Sequence, residues 1–212
     1  MPEDIKLLKP QDIEKKSFEI IEQLLCGKKF LPMHEPVIKR VIHTTADLEF
    51  ADIIKISENA VENAINAIKS GANIVTDTKM AASGINRKII QKFGGDVICH
   101  MADDDVAKQA FEKGVTRAWM SMEKACVNPK NRIYAIGNAP TALIRLCDLI
   151  TKGIVKPDVV IGVPVGFVNV VESKEMLKKS GVPCIISEGR KGGSNVAAAI
   201  VNAIIYMIER QV

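Results

Sequence analysis

Three histidines occur in the 212-residue chain, His34, His43 and His100, and one of them stands where acid chemistry is conceivable. Residues 40 to 50 read RVIHTTADLEF, so His43 follows Arg40 by three positions and precedes two threonines and Asp47. An imidazole, with an ordinary pKa of about 6.5, is the side chain best suited to deliver a proton near neutral pH. On a helix, residues three apart are neighbours, which sets Arg40 beside His43. The stretch from Glu35 to about Thr44 reads as such a helix, with Pro36 in the first turn, where its missing N–H costs nothing. Val37, Ile38, Val41 and Ile42 then form one apolar stripe, and Lys39, Arg40 and His43 fall on the opposite side. His43 is therefore not expected in the core. Its face is either a solvated surface, the ordinary fate of such charges, or an acid placed beside a cation.

A second chemical feature is the run SEGRKGGSNVAAA, Ser187 to Ala199. Gly189, Gly192 and Gly193 free the backbone to turn, Ser194 is placed to cap the helix that follows, and Arg190 and Lys191 add positive charge. Amide groups at such a corner can hold an anion, although the same pattern serves an ordinary turn with a capped helix. Three further segments stand out: TDTKMAASGIN (Thr76 to Asn86), IGNAPTAL (Ile136 to Leu143) and GVPVGFVNVVESKE (Gly162 to Glu175). In IGNAPTAL, Asn138 reads as a helix cap and Pro140 as a first helical residue. In the last, Glu172, Ser173 and Lys174 read as a surface cap.

What must position these segments is an alternation of strands and helices. Apolar runs rich in Val and Ile occur at Ile53–Ile56, Asn73–Thr76, Asp96–Cys99, Arg132–Ile136, Asp158–Gly162 and Pro183–Ser187. Helix-like segments lie between them at Glu58–Lys69, Asp103–Lys113, Pro140–Thr151, Val171–Lys179 and Ser194–Glu209, and two more, Gln11–Leu25 and Glu35 to about Thr44, precede them. The pattern predicts an α/β fold, a doubly wound, mainly parallel sheet with helices on both faces, in a single domain spanning 1–212. In open parallel sheets ligands bind at the carboxyl ends of the strands, where all four distinctive loops lie.

Composition narrows the function. With 47% hydrophobic and 25% charged residues the chain is ordinary globular material. No secretory h-region opens it, and Val196 to Ile208 falls short of the roughly 20 residues of a membrane span, so a cytoplasmic protein is expected. Five cysteines, widely spaced and never C-x-x-C, argue against a disulfide framework or a zinc ribbon, and the histidines show no ligand spacing. Cys99-His100 before Asp103, Asp104 and Asp105 reads as a strand end followed by a helix with an acidic first turn. A net charge of +4 with 4% aromatic residues gives no stacking platform for nucleic acid, yet suits a small polyanion. The glycine fingerprints of dinucleotide enzymes and P-loop proteins and the G-x-S-x-G of serine hydrolases are absent from the sequence.

Taken in order, RVIHTTAD, TDTKMAASGI, IGNAPTAL, PVGFVNVVESKE and GRKGGS resemble the precorrin-8X methylmutase family of cobalamin biosynthesis, from about Ser17 to the C-terminal helix. The HTTAD form around His43 resembles the branch that acts on cobalt-precorrin-8 in the oxygen-independent route. The resemblance implies an isomerase that moves a methyl group between adjacent ring carbons of a tetrapyrrole, giving a cobyrinic or hydrogenobyrinic acid skeleton. It implies His43 as the catalytic acid, whose protonated form the carboxylate arms of a bound ligand would favour. Ser17, Arg40 and Arg117 match family positions near the ligand, and Asn138 with Arg190, Lys191, Gly192, Gly193 and Ser194 would hold acetate or propionate arms. No role is assigned to Lys79 or Asn86. The family implies no cofactor and no protein metal site, since any cobalt arrives inside the macrocycle, and it implies a homodimer, for which the apolar helix Val196–Ile208 is one candidate surface and central burial the alternative. Two other readings compete: a carrier that binds the corrinoid without converting it, and an unrelated doubly wound enzyme that uses a nucleotide.

Overall fold

In the computed structural model, which describes residues 9–209, the apolar runs form one six-stranded sheet. In chain order the strands are β1 (Ile54–Ile56), β2 (Asn73–Thr76), β3 (Val97–Ile98), β4 (Asn131–Ile136), β5 (Val159–Gly162) and β6 (Cys184–Ser187). Across the sheet they run β1-β6-β5-β4-β2-β3, all neighbours being parallel except the edge strand β1, which is antiparallel to β6. β1 is followed in the chain by β2, on the far side of the sheet, so no crossover to its neighbour dictates its direction. The expected doubly wound, mainly parallel architecture is what forms.

Every residue of β2, β5 and β6 is buried, as strands covered on both faces require. Side chains still alternate between the faces. Ile74, Ile133, Ala135, Ile161 and Ile185 join one core, and Val75, Tyr134, Ile136, Val160 and Ile186 join the other. The second face carries α8 (Arg117–Ala125), α9 (Pro140–Thr151) and α10 (Val170–Lys179), with α7 (Asp104–Lys113) packed on α8. The first carries α4 (Ala60–Lys69) and α11 (Ser194–Glu209).

The apolar helix α11 is buried centrally, from Val196 to Ile208, by the sheet on one side and α2 (Glu35–Thr45) on the other. The stripe read from the sequence supplies that contact, since Val37, Ile38, Val41 and Ile42 are all buried. Helix α1 (Pro10–Leu24) lies on α2 in turn. The polar flank of α2 is thus roofed over, and the side chains of Lys39 and Arg40 keep only 15% of their exposure.

Four short helices carried no periodic signal strong enough to read: α3 (Phe50–Ile53), α5 (Lys79–Gly84), α6 (Arg87–Lys92) and α8. The first three span two turns or fewer. α8 begins at a side-chain cap, the Thr116 hydroxyl accepting from the Trp119 amide at 3.1 Å.

Candidate active site

Most residues that follow His43 have a structural task. The Thr45 hydroxyl donates back to the Val41 carbonyl at 2.9 Å and accepts from the Asp47 amide at 3.3 Å. Ala46 ends α2 in the left-handed conformation, φ +54, which turns the chain sharply and strains an alanine. Beyond the turn, Asp47 accepts from the Glu49 amide at 3.0 Å and pairs with the Lys191 ammonium, which Glu49 also meets at 2.8 Å. The Lys191 ammonium holds the Asp47 carboxyl below the usual carboxylate range. In this way the end of the His43 helix is tied to the glycine-rich loop, 144 residues away in the chain.

His43 itself is half-buried under α1. Its Nδ1 lies 3.0 Å from Ser17 Oγ, and its ring stacks on Phe18 with centroids 5.3 Å apart and planes 20° from parallel. Arg40 pairs with Glu14, and its guanidinium sits between the rings of Phe18 (4.9 Å) and Tyr206 (5.2 Å). Ser17, joined to Arg40 and His43 only by resemblance in the sequence, therefore forms one cluster with them on α1 and α2. When doubly protonated, His43 donates Nδ1–H to Ser17 and keeps Nε2–H for a ligand. A cavity of about 230 Å³ opens beside Arg40, lined by Phe18, Glu35, Pro36, Lys39, Tyr206 and others. That is below the roughly 300–1,000 Å³ of a pocket for a drug-sized ligand.

A second cluster gathers at the carboxyl ends of the strands. The loops after β2 and β4 part at the point where the strand order reverses. There Asp77, fully buried, accepts from the amides of Gly137 (2.9 Å), Asn138 (2.8 Å) and Ala139 (2.6 Å). Burial pushes its carboxyl up, against the pull of those three N–H groups. Asn138 is exposed and caps no helix; Ala139 holds the cap position of α9, and Asp77 satisfies its amide from the loop of the neighbouring strand. Pro140 does begin α9 as read from the sequence.

The glycine-rich loop closes this cluster. Gly193 donates to the Val163 carbonyl at 3.0 Å, and a Cβ on Gly192 would lie 2.1 Å from the same oxygen. A Cβ on Gly137 would lie 2.7 Å from Gly193 O and Ser194 Cα, so only glycines allow the three loops to meet. Ser194 does not cap α11 from the preceding position. It is the first helical residue, and its hydroxyl lies 2.8 Å from that of Thr78. Arg190 is exposed and, among the described residues, pairs with no carboxylate, whereas Lys191 is committed to Asp47 and Glu49.

Arg117 stands at a third place, at the start of α8, exposed and likewise without a carboxylate partner among the described residues. Thr116, just before it, meets Thr141 of α9 at 2.8 Å, which sets it near the IGNAPTAL corner. The expected surface cap at Glu172-Ser173-Lys174 does not form. Ser173 and Lys174 are 0% and 1% exposed, Ser173 donates to the Val170 carbonyl at 2.8 Å, and the cap position belongs to Asn169, φ +58.

The sequence and the fold both recur in known proteins. The family model described as precorrin-8X methylmutase matches residues 12–207. The chain belongs to the precorrin-8X methylmutase family. It is 45% identical to the cobalt-precorrin-8 methylmutase of Salmonella typhimurium over 93% of this chain and 95% of that one. It is 44% identical to the cobalt-precorrin-8 methylmutase of Priestia megaterium over 95% and 90%. The crystal structure of the precorrin-8X methylmutase from Thermus thermophilus superposes with a TM-score of 0.86 at 37% identity, covering 94% of this chain and 98% of that one. As a precorrin-8X methylmutase it is an isomerase of cobalamin biosynthesis that catalyses methyl migration, a reading favoured over a non-catalytic carrier.

Sequence reasoning missed Phe18, Tyr206, Asp77 and Thr78. Asp77 and Thr78 had a usable signal, an acid and a hydroxyl directly after a buried strand at the switch point. The aromatic pair around Arg40 had none, because its members come from two helices nearly 190 residues apart.

Proposed function

We propose that the chain converts cobalt-precorrin-8 to the cobyrinic acid skeleton by acid-catalysed methyl migration, with His43 as the acid, working as a homodimer in the cytoplasm. His43 gives its Nε2 proton to the bound ring, the methyl passes to the adjacent carbon, and a proton returns to the imidazole, so substrate and product remain isomers. Ser17 fixes the ring orientation by taking the Nδ1 hydrogen. Phe18 and the Arg40–Glu14 pair hold the flank around it.

One observation carries this reading: among the described residues the histidine has a single side-chain hydrogen bond, through Nδ1 to Ser17, on a flank tied by Asp47 to the glycine-rich loop. Arg190 and Arg117, uncommitted to any carboxylate among the described residues, take acetate or propionate arms as charge-assisted pairs. The small cavity beside Arg40 makes an open face, rather than an enclosed pocket, the place for a macrocycle. The dimer draws support from α1, where Ile13, Ile20 and Leu24 are 54%, 45% and 55% exposed and line up on one face with Ser17. A second copy covering that stripe would close the site from outside.

Purified protein mixed anaerobically with cobalt-precorrin-8 is expected to convert the visible spectrum to that of the product. Stoichiometric binding without a new chromophore would return the carrier reading.

A further inference from the structure

Lys174 is the one lysine of the described chain classed as buried, at 1% exposure, in a motif to which the mechanism gives no part. Its ammonium reaches from α10 beneath the glycine-rich loop and donates to Ser187 Oγ (3.2 Å), the Gly189 carbonyl (2.8 Å) and the Lys191 carbonyl (2.9 Å). Ser187 Oγ passes a further hydrogen bond to the Lys191 carbonyl at 2.7 Å. No carboxylate lies within 4 Å of Lys174 among the described residues. A buried cation held by neutral dipoles alone is costly for a fold to keep, and a methionine would fill the space at less expense.

The loop it holds is the one that presents Arg190 and the first turn of α11. We propose that Lys174 is a positioning residue for substrate binding: from below, it fixes the backbone of Gly189 to Lys191 so that Arg190 and the α11 corner meet a ring carboxylate. The inference rests on the reading of that loop as a carboxylate site. The anion would bind the outer side of a loop whose inner side is neutralised by no acid, so the buried positive charge also favours it directly.

Proton loss from Lys174 should therefore loosen binding. Burial pushes its ammonium down to about 8, so the charged, loop-holding form is complete below that pH and lost above it. The neighbours whose pKa is shifted are moved away from that range. On α10, Lys178 is pushed up by Glu188 and Glu175, and Glu172 and Lys179 are exposed. On β6 and the loop, burial pushes the Cys184 thiol up, Lys178 holds Glu188 down, and Asp47 and Glu49 push Lys191 up. On α9, packed against α10, Cys147 is pushed up to about 12, and Asp148 is held down by Lys152 and also meets Arg145.

The test is steady-state kinetics on cobalt-precorrin-8 for the wild type, Lys174→Met and Arg190→Met from pH 6.5 to 9.5. The expected result is a KM raised about tenfold or more in Lys174→Met, with kcat changed less than about threefold, since charge-assisted hydrogen bonds are lost. The wild-type KM should climb as pH passes about 8, and that climb should vanish in Lys174→Met. An unchanged KM in Lys174→Met while Arg190→Met raises it would overturn the role of Lys174 alone. Unchanged KM in both variants would overturn the carboxylate-site reading and this inference with it. A climb that persists in Lys174→Met, or a loss confined to kcat, also overturns it. Should Lys174→Met not fold, the wild-type profile decides: a climb near pH 8 supports the inference and a flat KM ends it.

Discussion

The two halves of the site are built in opposite ways. The histidine flank is made of side chains on separate helices: Ser17 and Phe18 from α1, Arg40 and His43 from α2, Tyr206 from α11. The strand-end corner is made of backbone, pinned from inside by two buried charges, Asp77 on amides and Lys174 on carbonyls. Among the described residues α1 contributes one buried apolar side chain, Ile21, whereas the corner sits on strands that are buried throughout. A backbone-built corner thus meets a histidine whose orientation depends on a lightly docked helix. The division suits the reaction proposed above, in which a large anion is first held and then protonated at one atom.

The sharpest way to break the contrast is to remove a pin. Asp77→Ala leaves three amides without their acceptor, that of Gly137 buried and those of Asn138 and Ala139 part-buried, and should cost about 3–5 kcal/mol, read as a lower urea midpoint at unchanged slope. A loss under about 1 kcal/mol would show that the corner is not held as described.

A smaller effect is expected on the other side. Ile21→Ala should weaken the docking of α1 by about 2–3 kcal/mol. Amide hydrogen exchange should then quicken in α1 and leave β4 and β5 protected, with turnover falling in step. Uniform quickening across the sheet would mean that α1 belongs to the global core.

The smallest effect should be a gain. Ala46→Gly relieves the left-handed strain at the end of α2 and should raise stability by about 0.5–1 kcal/mol, measured by thermal melting.

How legible these halves were in the sequence follows from how they are built. The central strands announce themselves because both their faces are buried, and Pro36, Pro140 and the α2 stripe mark their elements by local rules. The glycine corner was legible as a backbone feature, since a Cβ at Gly137 or Gly192 has nowhere to go. The surface reading of Glu172-Ser173-Lys174 failed because a lysine's burial is decided by carbonyls 15 and 17 residues away. The free cap expected of Ser194 gave way to Thr78, 116 residues distant. Lys191 looked free for a ligand until the turn at Ala46 brought Asp47 and Glu49 to it. Local rules see one element at a time, and these contacts join two.

The central claim is that His43 supplies the proton and that the corner supplies the grip. The direct measurement is His43→Ala assayed anaerobically for both equilibrium binding and single turnover of cobalt-precorrin-8. Binding within about threefold of wild type and turnover slowed by about 10²–10⁴ is the predicted result. Turnover at the wild-type rate would contradict it.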